Sequence, residues 1–171
     1  MEQEFQYFFT ATILNWELIL TEDKYKKIII DSLAHLVKKK LIIVNAFVIM
    51  PNHIHLLWRI CSPGHPDKIQ QSFMKFTAQI ILEDLKRNKN PILDKLQVNA
   101  SDRQYQVWER NPLPVKMYDD EIMFQKMKYI HYNPCQEKWK LAVKPEDYLF
   151  SSAAFYYHHD KTWNFLTHVK E

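Results

Sequence analysis

Glycine is almost missing from this chain: Gly64 is the only one in 171 residues, where average usage of about 7% would supply roughly a dozen. Glycine-rich phosphate cradles, of the P-loop or dinucleotide kind, need several glycines in one short loop, so both are excluded. Any phosphate handled here must meet a metal ion, cationic side chains or helix N-termini. Cysteine is scarce too. Cys61 and Cys135 are too few for a disulfide framework, and their spacing makes no zinc knuckle. No apolar run reaches the roughly 18 residues that span a bilayer. Met1-Glu2-Gln3-Glu4 lacks the basic start of a secretory signal. The expectation is a cytoplasmic protein with no membrane partner.

What is present points to a globular chain. Hydrophobic residues make up 47% and aromatics 14%, enough to bury a core and too much for a disordered segment. The net charge of +3 permits nucleic-acid binding without establishing it.

Residues 5–15, rich in aromatic and β-branched side chains, read as a strand. Thr21 and Asp23 open a helical stretch with Ile28, Leu33, Leu36 and Val37 at helical spacing. The β-rich run 41–50, the turn Pro51-Asn52 and a strand over 53–60 predict an antiparallel hairpin. After a break at 62–66, residues 67–88 predict an amphipathic helix with Ile69, Phe73, Phe76, Ile80 and Leu85 as its core stripe. Ile92, Leu93 and Leu96 suggest a short helix, and 105–110 and 113–117 short strands on either side of Asn111-Pro112. Asp119-Asp120-Glu121 supply an acidic first turn to a helix that Asn133-Pro134 should end. The order β-α-β-β-α-β, followed by a helix, predicts an α+β fold: a ferredoxin-like antiparallel β-sheet with helices on one face.

Two short motifs carry chemistry. In Asn52-His53-Ile54-His55-Leu56, strand alternation points His53 and His55 one way and Ile54 the other, which makes a two-imidazole metal platform. Paired strand histidines can equally just face solvent. In Tyr129-Ile130-His131-Tyr132-Asn133, Tyr129 and Asn133 share a helix face, whereas His131 lies roughly 200° round from Tyr129. A phenol beside a metal-bound phosphate is a workable design for strand cleavage. The ion would neutralise phosphate charge and align in-line attack, giving a phosphotyrosine link and a free 3′-hydroxyl. Such a link keeps the bond energy, so a later hydroxyl can rejoin strands without ATP. A tyrosine on an amphipathic helix is also ordinary packing, and an asparagine before proline is an ordinary helix cap.

Met50-Pro51-Asn52-His53-Ile54-His55-Leu56-Leu57, together with Lys128-Tyr129-Ile130-His131-Tyr132-Asn133-Pro134, resembles the single-tyrosine HUH transposases of bacterial insertion sequences. The nearer likeness is to their domesticated branch, the REP-associated tyrosine transposases. Val107-Trp108-Glu109-Arg110 and Pro145-Glu146-Asp147-Tyr148-Leu149-Phe150-Ser151-Ser152 are similar to that branch too. The resemblance covers about residues 5–155, which sets out a transposase domain at 1–152 and a C-terminal tail at 153–171. One departure is visible: Cys135-Gln136-Glu137-Lys138-Trp139 lacks the Arg-Ala-Gly sequence common in the family it resembles.

The resemblance implies the HUH endonuclease fold and a metal-dependent DNA transposase or nickase-ligase acting on single-stranded DNA near palindromic hairpins. It implies Tyr129 as nucleophile and His53, His55 and Asn133 as ligands of Mg2+ or Mn2+. Imidazole favours the softer manganese. Arg59, Trp108, Arg110, Lys126 and Lys128 are the expected DNA contacts, with Trp108 stacking on unpaired bases and Arg110 meeting phosphate. The rival reading is a catalytically quiet, sequence-specific hairpin-binding protein; a third is an RNA-directed relative. A monomer and a homodimer donating the tyrosine helix in trans both stay open.

Overall fold

The structure is a computed structural model that describes residues 5–61, 66–110, 112 and 114–171. Of the break read at 62–66, positions 62–65 lie outside the described residues and Pro66 opens a helix; position 111 between the two expected strands and position 113 at the start of the second also lie outside them. Four strands form one antiparallel sheet: β1 (Gln6–Thr12), β2 (Ile42–Ile49), β3 (His53–Ile60) and β4 (Val115–Met117), in the order β2-β3-β1-β4. This is the ferredoxin-like order. The helices are α1 (Asp23–Lys38), α2 (Pro66–Arg87), α3 (Asp120–Tyr132) and the short α4 (Ala153–His158).

Strand alternation divides the core between the two sheet faces. Phe9, Ala11, Ile54, Leu56 and Trp58 face α1 and α2, where they meet Ile29, Leu33, Phe73, Ile81 and Leu85. Phe8, Ala46, Val48 and Leu57 face the other way and meet Met123 and Ile130 of α3. The paired helices α1 and α2 thus share one face as expected, and α3 covers the opposite one. A bulge makes both faces of β2 apolar. The β2–β3 register shifts between Val44 and Ala46, so even-numbered Ile42 and Val44 join one core while even-numbered Ala46 and Val48 join the other. Buried Asn45 at the shift accepts from Gln6 Nε2 at 2.7 Å and donates to the Thr167 carbonyl at 2.9 Å.

Two expectations are corrected. The buried stripe of α2 is Phe73, Thr77, Ile81 and Leu85, and Phe76 is exposed. A threonine serves in an apolar stripe because its hydroxyl donates to the Phe73 carbonyl at 2.9 Å and accepts the Trp108 indole N–H at 3.1 Å. The segment expected to be a strand over 105–110 makes only isolated bridges, Gln97 with Tyr105 and Ile13 with Trp108.

The C-terminal residues pack on the body. Ile49 N–H donates to the Phe150 carbonyl, Ser152 N–H to the Phe47 carbonyl and Thr167 N–H to the Val44 carbonyl. These bonds occupy the outer edge of β2, a strand that would otherwise end the sheet with unpaired polar groups. Phe165 is buried against Phe47, ring centroids 5.8 Å apart.

Candidate active site

β3 presents His53 and His55 on the α3 face, and Ile54 between them is fully buried in the opposite core. Both histidines are buried, with ring centres 4.8 Å apart. Each is held at Nδ1. His55 Nδ1 lies 2.8 Å from Thr10 Oγ1, on the β1 residue directly opposite it in the sheet. His53 Nδ1 lies 2.8 Å from Asn52 Oδ1, and Asn52 Nδ2 donates to the Trp16 carbonyl at 3.3 Å. Phe8 stacks on the His55 ring at 5.3 Å.

α3 brings the second motif over this pair. Asp119 caps the helix by accepting from the Glu121 and Ile122 N–H groups at 2.7 and 3.1 Å, with Asp120 and Glu121 in the first turn. At the other end Asn133 keeps helical dihedrals (φ −54°, ψ −46°) although proline follows, and a short 3-10 turn over Asn133–Cys135 continues the helix. Asn133 therefore stays on the face of Tyr129, one turn on. The Tyr129 ring sits edge-on to His55 with centroids 5.2 Å apart, and Tyr129 is 44% exposed, so its face of the site is open to solvent. Pair and phenol belong to the same chain. His131 turns away, as helical spacing requires: it is buried, with Nε2 2.8 Å from Ser152 Oγ.

Electrostatics leave both imidazoles neutral at pH 7. Burial pushes His53 down to about 4; Asn133 beside it favours the charged form and Lys138 opposes it. Burial, then His53, then Lys126 take His55 down to about 3. A neutral imidazole keeps the lone pair that a metal needs. Two buried polar atoms here have no hydrogen-bond partner, His55 Nε2 and Asn133 Oδ1. Unmatched buried polar atoms are costly and uncommon, so the donor set fits a cation: two imidazole nitrogens and a neutral amide oxygen. Among the described residues no three His, Cys, Asp or Glu side chains gather into a metal cluster. Two imidazole nitrogens and one amide oxygen would fill three positions on a cation, fewer than the six of an octahedral ion.

The expected DNA contacts divide. Lys126 is close to the pair, with its ammonium 4.9 Å above the Phe8 ring. Lys128 is exposed over Tyr132 at 5.8 Å. Arg59 shares the β3 face of the histidines, four residues along, and is partly exposed. Trp108 does not fit the stacking role: it is 5% exposed, inside the α1–α2 core, with its indole N–H engaged by Thr77. Arg110 lines a groove of about 1070 Å³ between α2 and residues 102–110, 112 and 114, across the sheet from the imidazoles. It donates to Gln106 Oε1 there at 3.5 Å. Thr10, Asn52, Lys138 and Trp139 were not expected at the site. Of these, only Asn52 had a signal in the sequence, its place immediately before His53.

No family model and no curated protein matches this sequence. Solved structures do. A REP-associated tyrosine transposase bound to a REP hairpin matches 96% of this chain and 84% of that one, at 16% identity and a TM-score of 0.63. A transposase candidate from Deinococcus radiodurans matches 76% of this chain and 91% of that one, at 13% identity and a TM-score of 0.53. Taken with the sheet order and the site on its α3 face, these likenesses show that the chain has the α+β fold of the HUH tyrosine transposases.

Proposed function

We propose that the chain cleaves and rejoins single-stranded DNA beside hairpins, with Tyr129 as the nucleophile. The observation that carries this reading is the placement of Tyr129 against His55, 5.2 Å between ring centres, next to two buried polar atoms without partners. The hairpin seen on the structural neighbour supports DNA as the substrate class. His53, His55 and Asn133 would hold the divalent cation, through Nε2, Nε2 and Oδ1. When bound, Mg2+ or Mn2+ supplies charge neutralisation and alignment of the phosphodiester.

Tyr129 Oη attacks phosphorus, an O–P bond forms, and the bond from phosphorus to the 3′-oxygen breaks. The phenolic proton leaves to water, which the exposure of Tyr129 admits, and the departing 3′-oxygen takes up a proton. The product is a 5′-phosphotyrosine link, and attack by a 3′-hydroxyl reverses the step. Tyr129 and the imidazole pair meet within one chain, so this geometry does not require a second copy.

The test is a hairpin-bearing oligonucleotide incubated with the protein and Mn2+ or Mg2+, followed by denaturing electrophoresis. A covalent adduct is expected with the wild type and none with Tyr129→Phe, whose DNA affinity should be unchanged. Cutting by the Phe variant would assign the attack to water. Tight binding with no adduct in either ion would favour the quiet hairpin-binding reading.

A further inference from the structure

Residues 136–140 leave α3 in a tight turn. The Trp139 and Lys140 N–H groups both donate to the Gln136 carbonyl at 2.9 Å, and Leu141 N–H returns to the Pro134 carbonyl at 2.9 Å. Lys140 takes a left-handed φ of 48° to close it. The turn lays the Trp139 indole beside the His53 ring, 5.8 Å between centroids, on the apolar cluster that α3 covers. Lys138 places its ammonium 5.2 Å over that indole.

The same construction stands on the other side of the pair. Phe8 stacks on His55 at 5.3 Å, and the Lys126 ammonium lies 4.9 Å over Phe8. Each imidazole is thus backed by an aromatic ring that carries a cation. Among the described residues neither lysine forms an ion pair, whereas Lys140, two positions from Lys138, is bound to Glu137 at 2.8 Å. A cation over an aromatic ring can be simple surface packing. Lys86 over Tyr105 and Lys116 over Phe5 are such cases; Lys126 and Lys138 differ in that the rings beneath them back the two imidazoles of a buried donor set with unpartnered polar atoms. That pattern calls for an anion longer than a single phosphoryl group.

We propose that Lys138 is a phosphate-binding residue which, with Lys126, brackets the imidazole pair, so that the two ammonium groups grip the backbone phosphates on either side of the one offered to Tyr129. The inference rests on the DNA-strand reading of this site and supplies its polarity of grip: Trp139 positions Lys138 on the His53 side and Phe8 positions Lys126 on the His55 side.

The test is equilibrium binding of a fluorescent single-stranded oligonucleotide between 50 and 200 mM salt, in chelator, where no turnover is needed. Each lost phosphate contact should reduce the slope of log K against log salt by about 0.7. Lys138→Gln should lose that amount, Lys126→Gln the same, and the double variant about twice as much. Lys140→Gln, which removes an equal but ion-paired charge, should leave the slope unchanged. A Lys138→Gln slope equal to wild type would overturn the proposal, as would an equal loss in Lys140→Gln. Absence of wild-type binding would overturn it as well. Adduct formation scores the Tyr129 reading separately: an adduct with an unchanged Lys138→Gln slope rejects the bracket alone, and a changed slope without an adduct rejects the cleavage alone.

Discussion

Asn52 fixes which nitrogen of His53 carries the proton. Its Nδ2 donates to the Trp16 carbonyl at 3.3 Å, so Oδ1 is the atom facing the ring at 2.8 Å. An amide oxygen only accepts, hence Nδ1 of His53 is the N–H and Nε2 keeps its lone pair. The anchor is itself held in an unusual conformation. Asn15 and Trp16 both have left-handed φ, 56° and 58°, a geometry that costs about 1–2 kcal/mol for a non-glycine residue. The loop is pinned there by Leu14 N–H to the Val107 carbonyl and Asn15 N–H to Glu109 Oε1.

Asn52→Ala should therefore weaken Mn2+ binding by about tenfold or more, the usual effect of losing a group that orients a ligand. The measurement is the Mn2+-dependent thermal shift, with long-range 15N–1H NMR of the metal-free protein reporting the His53 tautomer. An unchanged tautomer and an unchanged Mn2+ midpoint would remove Asn52 from this role.

Trp108 should matter for stability and not for DNA. Trp108→Phe keeps most of the apolar volume but leaves the buried Thr77 hydroxyl without its indole donor, at a cost of about 1–3 kcal/mol. The Tm should fall by several degrees while oligonucleotide affinity stays at the wild-type value. A loss of affinity in a variant with unchanged Tm would restore the base-stacking role.

The histidine pair was legible because period-two alternation is local: once 53–60 is a strand, His53 and His55 must share a face and Ile54 must take the other. Tyr129 and Asn133 were legible for the same reason in a helix. Trp108 was misread because aromatic-next-to-cation is a statement about neighbours in sequence. Its burial depends on Ile13 and Thr77, 95 and 31 positions away. Thr10 reaches His55 only through the β1–β3 register, and no pattern near residue 10 shows it. Helical periodicity gives α3 an apolar stripe but does not say which sheet face receives it. That choice follows from the Asn45 bulge, which makes the second face of β2 apolar.

The segment set apart as a tail should prove integral. Truncation after His158 would remove Phe165, which packs on Phe47, and the Thr167 bonds to Val44 and Asn45. Loss of a buried phenylalanine alone costs about 3–5 kcal/mol, and the bared β2 edge invites strand pairing between molecules. A large fall in Tm and concentration-dependent aggregation are expected in the truncated chain. A truncated protein with wild-type Tm and solubility would show that these contacts add little.

Three buried imidazoles should make the fold acid-sensitive well above the carboxylate range. Burial lowers His53 and His131 to about 4 and His55 to about 3, against an unfolded value near 6.5. Between pH 6.5 and 4 the unfolded chain binds protons at these positions and the native chain does not. Stability therefore rises with pH across that window, by up to about 1.4 kcal/mol per pH unit for each group. Above pH 6.5 their contribution is complete, and it is lost progressively on acidification. The Tm should fall steeply from pH 7 to pH 5. His131→Gln should shallow that dependence, because glutamine can still meet Ser152 but does not titrate, and it leaves His53 and His55 in place. If His131→Gln kept the full slope, His131 would not be among the groups held neutral by burial; if the Tm were flat from pH 7 to pH 5, none of the three would be, and the lone pairs assigned to the cation would have to compete with protons at neutral pH.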